Sequence, residues 1–182
     1  MFTFAECGIP GLMEITPKVF GDNRGYFFES YSERDFAAAG LGAPFVQDNQ
    51  SFSRKGVLRG LHFQKKYPQG KLVRVISGEV FDVAVDIRPS SPTYGAWNAL
   101  ILSEKKQNQF WIPPGFAHGY LVLSDTALFV YKCTELYHPE DEGGVIWNDP
   151  DIGIEWPAAD YILSEKDKAL PPFSSLNGGV SR

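Results

Sequence analysis

A chain of 182 residues with an apolar fraction of 43% can bury one substantial core and fits a single domain over residues 1–182. The formal net charge of −5 argues against a broad electrostatic grip on nucleic acid or on an anionic membrane surface, so any anionic ligand must be held by a local cationic cluster. No apolar run approaches membrane-spanning length, and M-F-T-F-A-E-C-G-I-P has neither the basic region nor the long apolar stretch of a secretory leader. Cys7 and Cys133 lack metal-type spacing, and together these features predict a cytoplasmic protein with reduced thiols.

Glycine and proline interrupt the chain at short intervals, and the stretches between them are rich in Val, Ile, Phe, Tyr and Thr, which predicts a mainly β protein. In chain order, F-G-D-N-R-G-Y-F-F-E-S (residues 20–30) reads as a turn between Gly21 and Gly25 feeding an aromatic strand, with Arg24 and Glu29 as its chemical candidates. Ser32 opens S-E-R-D-F-A-A-A-G, a short helix with Gly40 as its stop. Strands are predicted at 72–76, 80–87, 99–102, 119–123 and 128–134, with Ser77-Gly78-Glu79 as a tight turn and antiparallel pairing throughout. The clearest strand places Phe81, Val83, Val85 and Ile87 on one face and Asp82, Ala84 and Asp86 on the other, which predicts a half-buried strand. Ser164 opens S-E-K-D, a second short peripheral helix, and the tail after Pro172 is the segment expected to be disordered. With no repeat and no dividing linker, the strands should close into one sandwich or barrel.

Q-D-N-Q-S-F-S-R-K-G-V-L-R-G-L-H-F-Q, residues 47–64, concentrates amides, hydroxyls, Arg59 and His62 around glycines. Arg59 and His62 would face opposite sides of a regular strand, so a bulge at Gly60 is required for them to converge. From the residues alone, His62 fits a hydrogen-bonded sheet histidine as well as it fits a general base. W-I-P-P-G-F-A-H-G-Y, residues 111–120, delivers His118 to the start of a strand through a rigid turn and resembles the second motif of the cupin superfamily. Metal-binding cupins carry two histidines separated by one residue in their first motif. Here His62 is followed by Phe63 and Gln64, and the third histidine, His138, lies in H-P-E-D-E, so no metal site is expected. Tyr131 and Tyr137 share a face if their strand stays regular, roughly 20 Å apart, a span that suits an extended sugar-diphosphate-nucleoside.

Taken in order, D-N-R-G-Y-F-F-E, Q-D-N-Q-S, G-V-L-R-G-L-H-F-Q, G-K-L-V-R-V, P-P-G-F-A-H-G, Y-K-C-T and W-N-D-P resemble the pattern of the dTDP-4-dehydrorhamnose 3,5-epimerase family, over residues 20–167. The resemblance implies a double-stranded β-helix, the cupin or jelly-roll barrel, with a few short peripheral helices. It implies a cofactor-free isomerase that inverts carbons 3 and 5 of dTDP-4-dehydro-6-deoxy-D-glucose through an enolate, on the route to dTDP-L-rhamnose. By position in the motifs, His62 resembles the base and Asp167 the carboxylate that orients it, with a helix-capping role as the local alternative for Asp167. Tyr131 resembles the proton donor on the opposite sugar face, and Lys71 and Arg59 would stabilise the enolate oxygen or the phosphates. The same likeness places Arg24, Glu29, Gln47, Asn49, His118, Glu142 and Lys166 around the substrate and stacks Tyr137 on thymine. It also implies a homodimer with exchanged N-terminal strands, in which Arg24 and Glu29 serve the neighbouring site. The alternatives are a single-centre epimerase or ketoisomerase of a related dTDP-deoxysugar, and a non-catalytic cupin-type sugar-binding protein.

Overall fold

The computed structural model describes residues 1–177. Its strands in chain order are β1 (Phe2–Glu6), β2 (Met13–Pro17), β3 (Phe20–Asp22), β4 (Gly25–Phe27), β5 (Gln47–Arg54), β6 (Leu58–Gln64) and β7 (Lys71–Ser77). There follow β8 (Glu79–Asp86), β9 (Trp97–Ser103), β10 (Gln109–Ile112), β11 (Phe116–Val122), β12 (Thr126–Cys133) and β13 (Glu142–Gly144). Two sheets result, one of six strands in the order β1-β2-β10-β7-β12-β5 and one of five in the order β13-β6-β11-β8-β9, while β3 and β4 form a separate hairpin. Pairing within the sheets is antiparallel, as the short connections predict.

The two sheets face each other and enclose the main core, which includes Leu12, Val73, Val75, Val80, Phe110, Ile112, Val122 and Phe129. A second cluster backs the five-stranded sheet, where Leu61, Val83, Val85 and Ala117 meet Val145, Ile152 and Phe173. A third backs the six-stranded sheet, where Ile15, Leu72 and Trp111 meet Phe36 and Leu41. Phe36 belongs to the predicted first helix, α1 (Glu33–Ala38), whose cap residue Ser32 accepts from the Asp35 amide. Its ring lies edge-on to Phe2, Phe4 and Tyr31, with centroids about 5 Å away.

Three expectations are corrected. The strand β8 is buried on both faces, because the chain after β13 covers the face formed by Phe81, Val83 and Val85 with Ile152, Trp156 and Phe173. Its alternation was therefore read correctly, but the polar face carrying Asp82 looks into the barrel and not into solvent. The turn Ser77-Gly78-Glu79 exists, yet it does not close a hairpin, since β7 and β8 belong to different sheets. Gly78 adopts a φ of +89°, and a Cβ there would lie 2.2 Å from the Thr126 carbonyl, so only glycine fits this corner. The tail expected to be disordered contains a 3-10 turn at Phe173–Asn177, anchored by the buried Phe173 ring and by its amide, which donates to Asp149 Oδ2 at 2.8 Å. Residues 178–182 of that tail lie outside the described residues.

Candidate active site

Strand register decides which side chains enter the barrel. On β12, Phe129, Tyr131 and Cys133 share the inward face, and they stand opposite Val75, Val73 and Lys71 of β7 and opposite Ser51, Asn49 and Gln47 of β5. The amide-rich motif therefore alternates, with Gln47, Asn49, Ser51 and Ser53 inward and Phe52 outward, 64% exposed. On the facing sheet, β11 places His118 opposite His62 and Tyr120 opposite Arg59. Two residues of β6, Gly60 and Leu61, thus oppose Gly119 alone, and this is the bulge that the sequence requires. Gly60 has a φ of +119°, and a Cβ on it would approach Gly119 Cα to 2.5 Å and the His118 carbonyl oxygen to 2.7 Å. Gly60→Ala should therefore cost about 1–3 kcal/mol of stability and disturb the convergence of Arg59 with His62. Urea unfolding checks the first effect, and an unchanged midpoint would contradict it.

The walls so formed enclose a cavity of about 370 Å³ lined by Asn49, Arg59, His62, Lys71, His118, Tyr131, Lys166 and Asp167 among the predicted residues. Asp167 comes from α2 (Glu165–Lys168), the predicted second helix, and is 4% exposed. His62 Nε2 lies 2.6 Å from Asp167 Oδ1, and Ser164 Oγ donates to Asp167 Oδ2 at 2.9 Å while accepting from the Asp167 amide at 3.0 Å. Asp167 therefore sits in the capping turn and against the imidazole at once. The capping turn seats the carboxylate, and the carboxylate fixes the imidazole. Burial pushes the Asp167 carboxyl up, but the hydrogen bonds from His62 and Ser164 outweigh it and hold the group below the usual carboxylate range.

Tyr131 stands on the sheet opposite His62, and burial raises its phenol to about 12, so the hydroxyl keeps its proton at neutral pH. Lys71 is surrounded by protein at the cavity, and the loss of water pushes its ammonium down, opposed by the field of Cys133, Asp82 and Glu142. Arg59 is aimed by Ser53, whose Oγ accepts from Nε at 3.3 Å and from Nη2 at 3.2 Å. His118 is bound through Nε2 to both oxygens of Asp82, each at 3.0 Å, and its ring stacks on Phe129 at 6.2 Å. Burial lowers the His118 pKa and raises that of Asp82.

Five predicted residues stand outside the cavity wall. Tyr137 and Glu142 form its rim extension, because Glu142 Oε2 accepts from the Tyr137 hydroxyl at 2.7 Å and from Lys166 Nζ at 2.6 Å. The regular strand supposed to join Tyr131 to Tyr137 ends at Cys133, so Tyr137 sits on a loop and its spacing from Tyr131 is not that of a strand. Gln47 engages both ends of its amide with protein, donating to Asn49 Oδ1 at 3.0 Å and accepting from the Tyr137 amide at 2.9 Å. Arg24 lies on the β3–β4 hairpin, 86% exposed and paired with Asp22 at 2.5 Å, and Glu29 follows that hairpin.

Ser51, Tyr120 and Ser164 line the cavity without having been predicted, and Ser51 Oγ bonds the Tyr120 hydroxyl at 2.8 Å. The period-two pattern of amides and hydroxyls from Gln47 to Ser53 is the signal that could have found Ser51. Asp82, fully buried behind His118, lies on the polar face that the alternation of β8 already marks. Among the described residues no group of three or more His, Cys, Asp or Glu side chains is placed to hold a metal ion, and none of the described helices is long and apolar enough to cross a membrane.

The family profile described as dTDP-4-dehydrorhamnose 3,5-epimerase matches residues 6–175. The chain belongs to that family. It is 55% identical over 175 residues to the dTDP-4-dehydrorhamnose 3,5-epimerase of Methanothermobacter thermautotrophicus, covering 94% of this chain and 95% of the relative. The enzyme of the same name from Pseudomonas aeruginosa is 55% identical over 171 residues, covering 93% and 94%. A solved dTDP-6-deoxy-D-glucose-3,5-epimerase from Legionella pneumophila, in complex with dTDP-4-keto-L-rhamnose, superposes with a TM-score of 0.93 at 50% identity, covering 96% of this chain and 94% of that one. The barrel is thus the one the dTDP-4-dehydrorhamnose 3,5-epimerase family uses, and the expected cupin-type architecture is correct.

Proposed function

We propose that this protein inverts carbons 3 and 5 of dTDP-4-dehydro-6-deoxy-D-glucose, giving dTDP-4-dehydro-L-rhamnose. The observation that carries the reading is a histidine on one sheet, backed by the Asp167 carboxylate of α2, facing a protonated tyrosine on the other sheet across one cavity. Inversion next to a ketone needs this two-sided arrangement. The base takes the proton from one face of the carbon, the electron pair moves into the carbonyl to give an enolate, and an acid returns a proton to the other face.

His62 is the base, and Asp167 stabilises the imidazolium that results. Tyr131 delivers its hydroxyl proton to the opposite face, and solvent restores both groups for the next carbon. Lys71 and Arg59 supply the positive charge that lowers the energy of the enolate oxygen and binds the diphosphate, with His118 beside them. Asn49 adds a hydrogen-bonding amide, while Lys166, Glu142 and Tyr137 extend the site outward to the nucleotide, whose base stacks on Tyr137. A sugar-binding barrel without chemistry has no use for a dyad and a tyrosine on facing walls, which favours the enzyme.

The assembly is a homodimer in this reading. Phe20, Tyr26 and Phe27 are exposed on the β3–β4 hairpin, an apolar display that a partner subunit would cover, and Arg24 and Glu29 lie apart from the cavity of their own chain. The free thiols of Cys7 and Cys133 fit a cytoplasmic setting. Incubation with dTDP-4-dehydro-6-deoxy-D-glucose, followed by NMR of the recovered sugar, tests the function. The expected product has both centres inverted, inversion at one carbon alone would favour the single-centre alternative, and unchanged sugar would overturn the reading.

A further inference from the structure

Gln64 lies two residues beyond His62 on β6, is 6% exposed, and does not line the cavity. Its Nε2 donates to the carbonyl of Tyr67 at 2.6 Å and to that of Leu136 at 3.1 Å, and its Oε1 accepts from the amide of His138 at 2.8 Å. Both amide hydrogens are thereby satisfied, and all three contacts are with backbone in segments that form neither helix nor strand. The Leu136 and Tyr137 side chains are about half exposed, so apolar burial does little to hold this loop. Hydrogen bonds hold it instead. Gln64 grips residues 136 and 138, Gln47 grips the amide of residue 137 between them, and Asp141 Oδ2 accepts from the amides of Lys66 and Tyr67 at 2.8 and 2.9 Å. The Tyr67 ring then stacks on His138 at 4.3 Å and closes the same cluster.

We propose that Gln64 is a positioning residue for nucleotide recognition: it ties the strand bearing His62 to the loop that presents Tyr137, and so sets the ring in place before the base arrives. The inference rests on the placement of thymine against Tyr137 given above. A ring fixed in advance spares binding the entropy of ordering a loop, whereas the chemistry at His62 uses groups that Gln64 does not touch. Loss of Gln64 should therefore weaken nucleotide binding far more than turnover.

The test is a double-mutant cycle read by calorimetric titration with dTDP, alongside steady-state kinetics. Gln64→Met keeps the side chain's length and removes all three hydrogen bonds. It should raise Kd for dTDP and KM about tenfold while kcat stays within about threefold. Tyr137→Ala should also weaken dTDP binding, and adding Gln64→Met to it should change Kd by less than about twofold, because the residue acts through that ring. Independent, multiplying losses in the double variant, or an unchanged Kd in Gln64→Met, would overturn the inference. If Tyr137→Ala leaves dTDP affinity unchanged, the thymine placement fails and this inference with it, while turnover of the dTDP-sugar by the unmodified enzyme reports separately on the epimerase reading. Should Gln64→Met not fold, Gln64→Glu, which removes the donor to the two carbonyls and keeps the acceptor for His138, is held to the same outcomes.

Discussion

His62→Ala is expected to lower epimerisation by about 10²–10⁴-fold, the range that a positioned general base supplies, while dTDP affinity stays within about twofold. The asymmetry follows from where the contacts lie. His62 bonds Asp167 on the inner wall, whereas the charges suited to the diphosphate are Arg59, Lys71 and Lys166, and the aromatic ring suited to the base is Tyr137. The fold should tolerate the change, because His62 is partly exposed to the cavity and is not a packed core residue. It does leave Asp167 without its imidazole partner, but Ser164 still donates to the other carboxylate oxygen. Hydrogen exchange at carbons 3 and 5 and dTDP titration read the two effects separately. Exchange at the wild-type rate would remove His62 from the role of base.

Tyr131→Phe removes one hydroxyl from a ring that packs against Phe129, with centroids 5.9 Å apart, so the barrel should fold as before. The expected change is chemical. With His62 and Asp167 intact, the variant still forms the enolate, but the acid on the opposite sheet is gone. Protonation then comes back from the His62 side and restores the starting configuration. Inversion should fall by about 10²-fold or more, and exchange of the carbon-bound hydrogens should fall much less. Following deuterium incorporation and configuration in the same sample distinguishes the roles. Equal loss of both would make the Tyr131 hydroxyl a stabiliser of the enolate, and inversion at the wild-type rate would exclude it as the acid.

Local pattern made much of this molecule legible. The alternation along β8, the serine caps at Ser32 and Ser164, and the mainly β composition each depend on near neighbours in the chain, and each is found as expected. The bulge at Gly60 was legible for a different reason. Two residues an odd number apart cannot share a face, and a glycine between them is the least costly place to insert the extra residue. What failed depended on distant chain. Nothing within β8 announces that residues beyond 144 return to cover its outer face, and nothing in Ser77-Gly78-Glu79 distinguishes a hairpin from a passage between sheets. Phe173 falls in the tail expected to be disordered, yet Tyr94 and the β8 face provide it with a site. The Tyr131 to Tyr137 spacing failed because the strand stops at Cys133, where the chain turns toward Gln47 and Gln64.

The candidate site divides in the same way. His62, Tyr131, Lys71 and Asp167 come from four separate elements, and no local pattern joins them. Their convergence was expected through the family motifs; strand register brings in His62, Tyr131 and Lys71, and the Ser164 capping turn seats Asp167. The supporting residues Ser53 and Gln64 escaped notice because each acts on another side chain or on backbone, across pairings that sequence spacing does not reveal.

The central claim is that one cavity removes and returns protons at the two carbons flanking the ketone. Its most direct measurement is incubation of the wild-type protein with dTDP-4-dehydro-6-deoxy-D-glucose in deuterated water, with NMR of the recovered sugar. Deuterium at both carbon 3 and carbon 5 is the predicted result, and the absence of deuterium at both would contradict it.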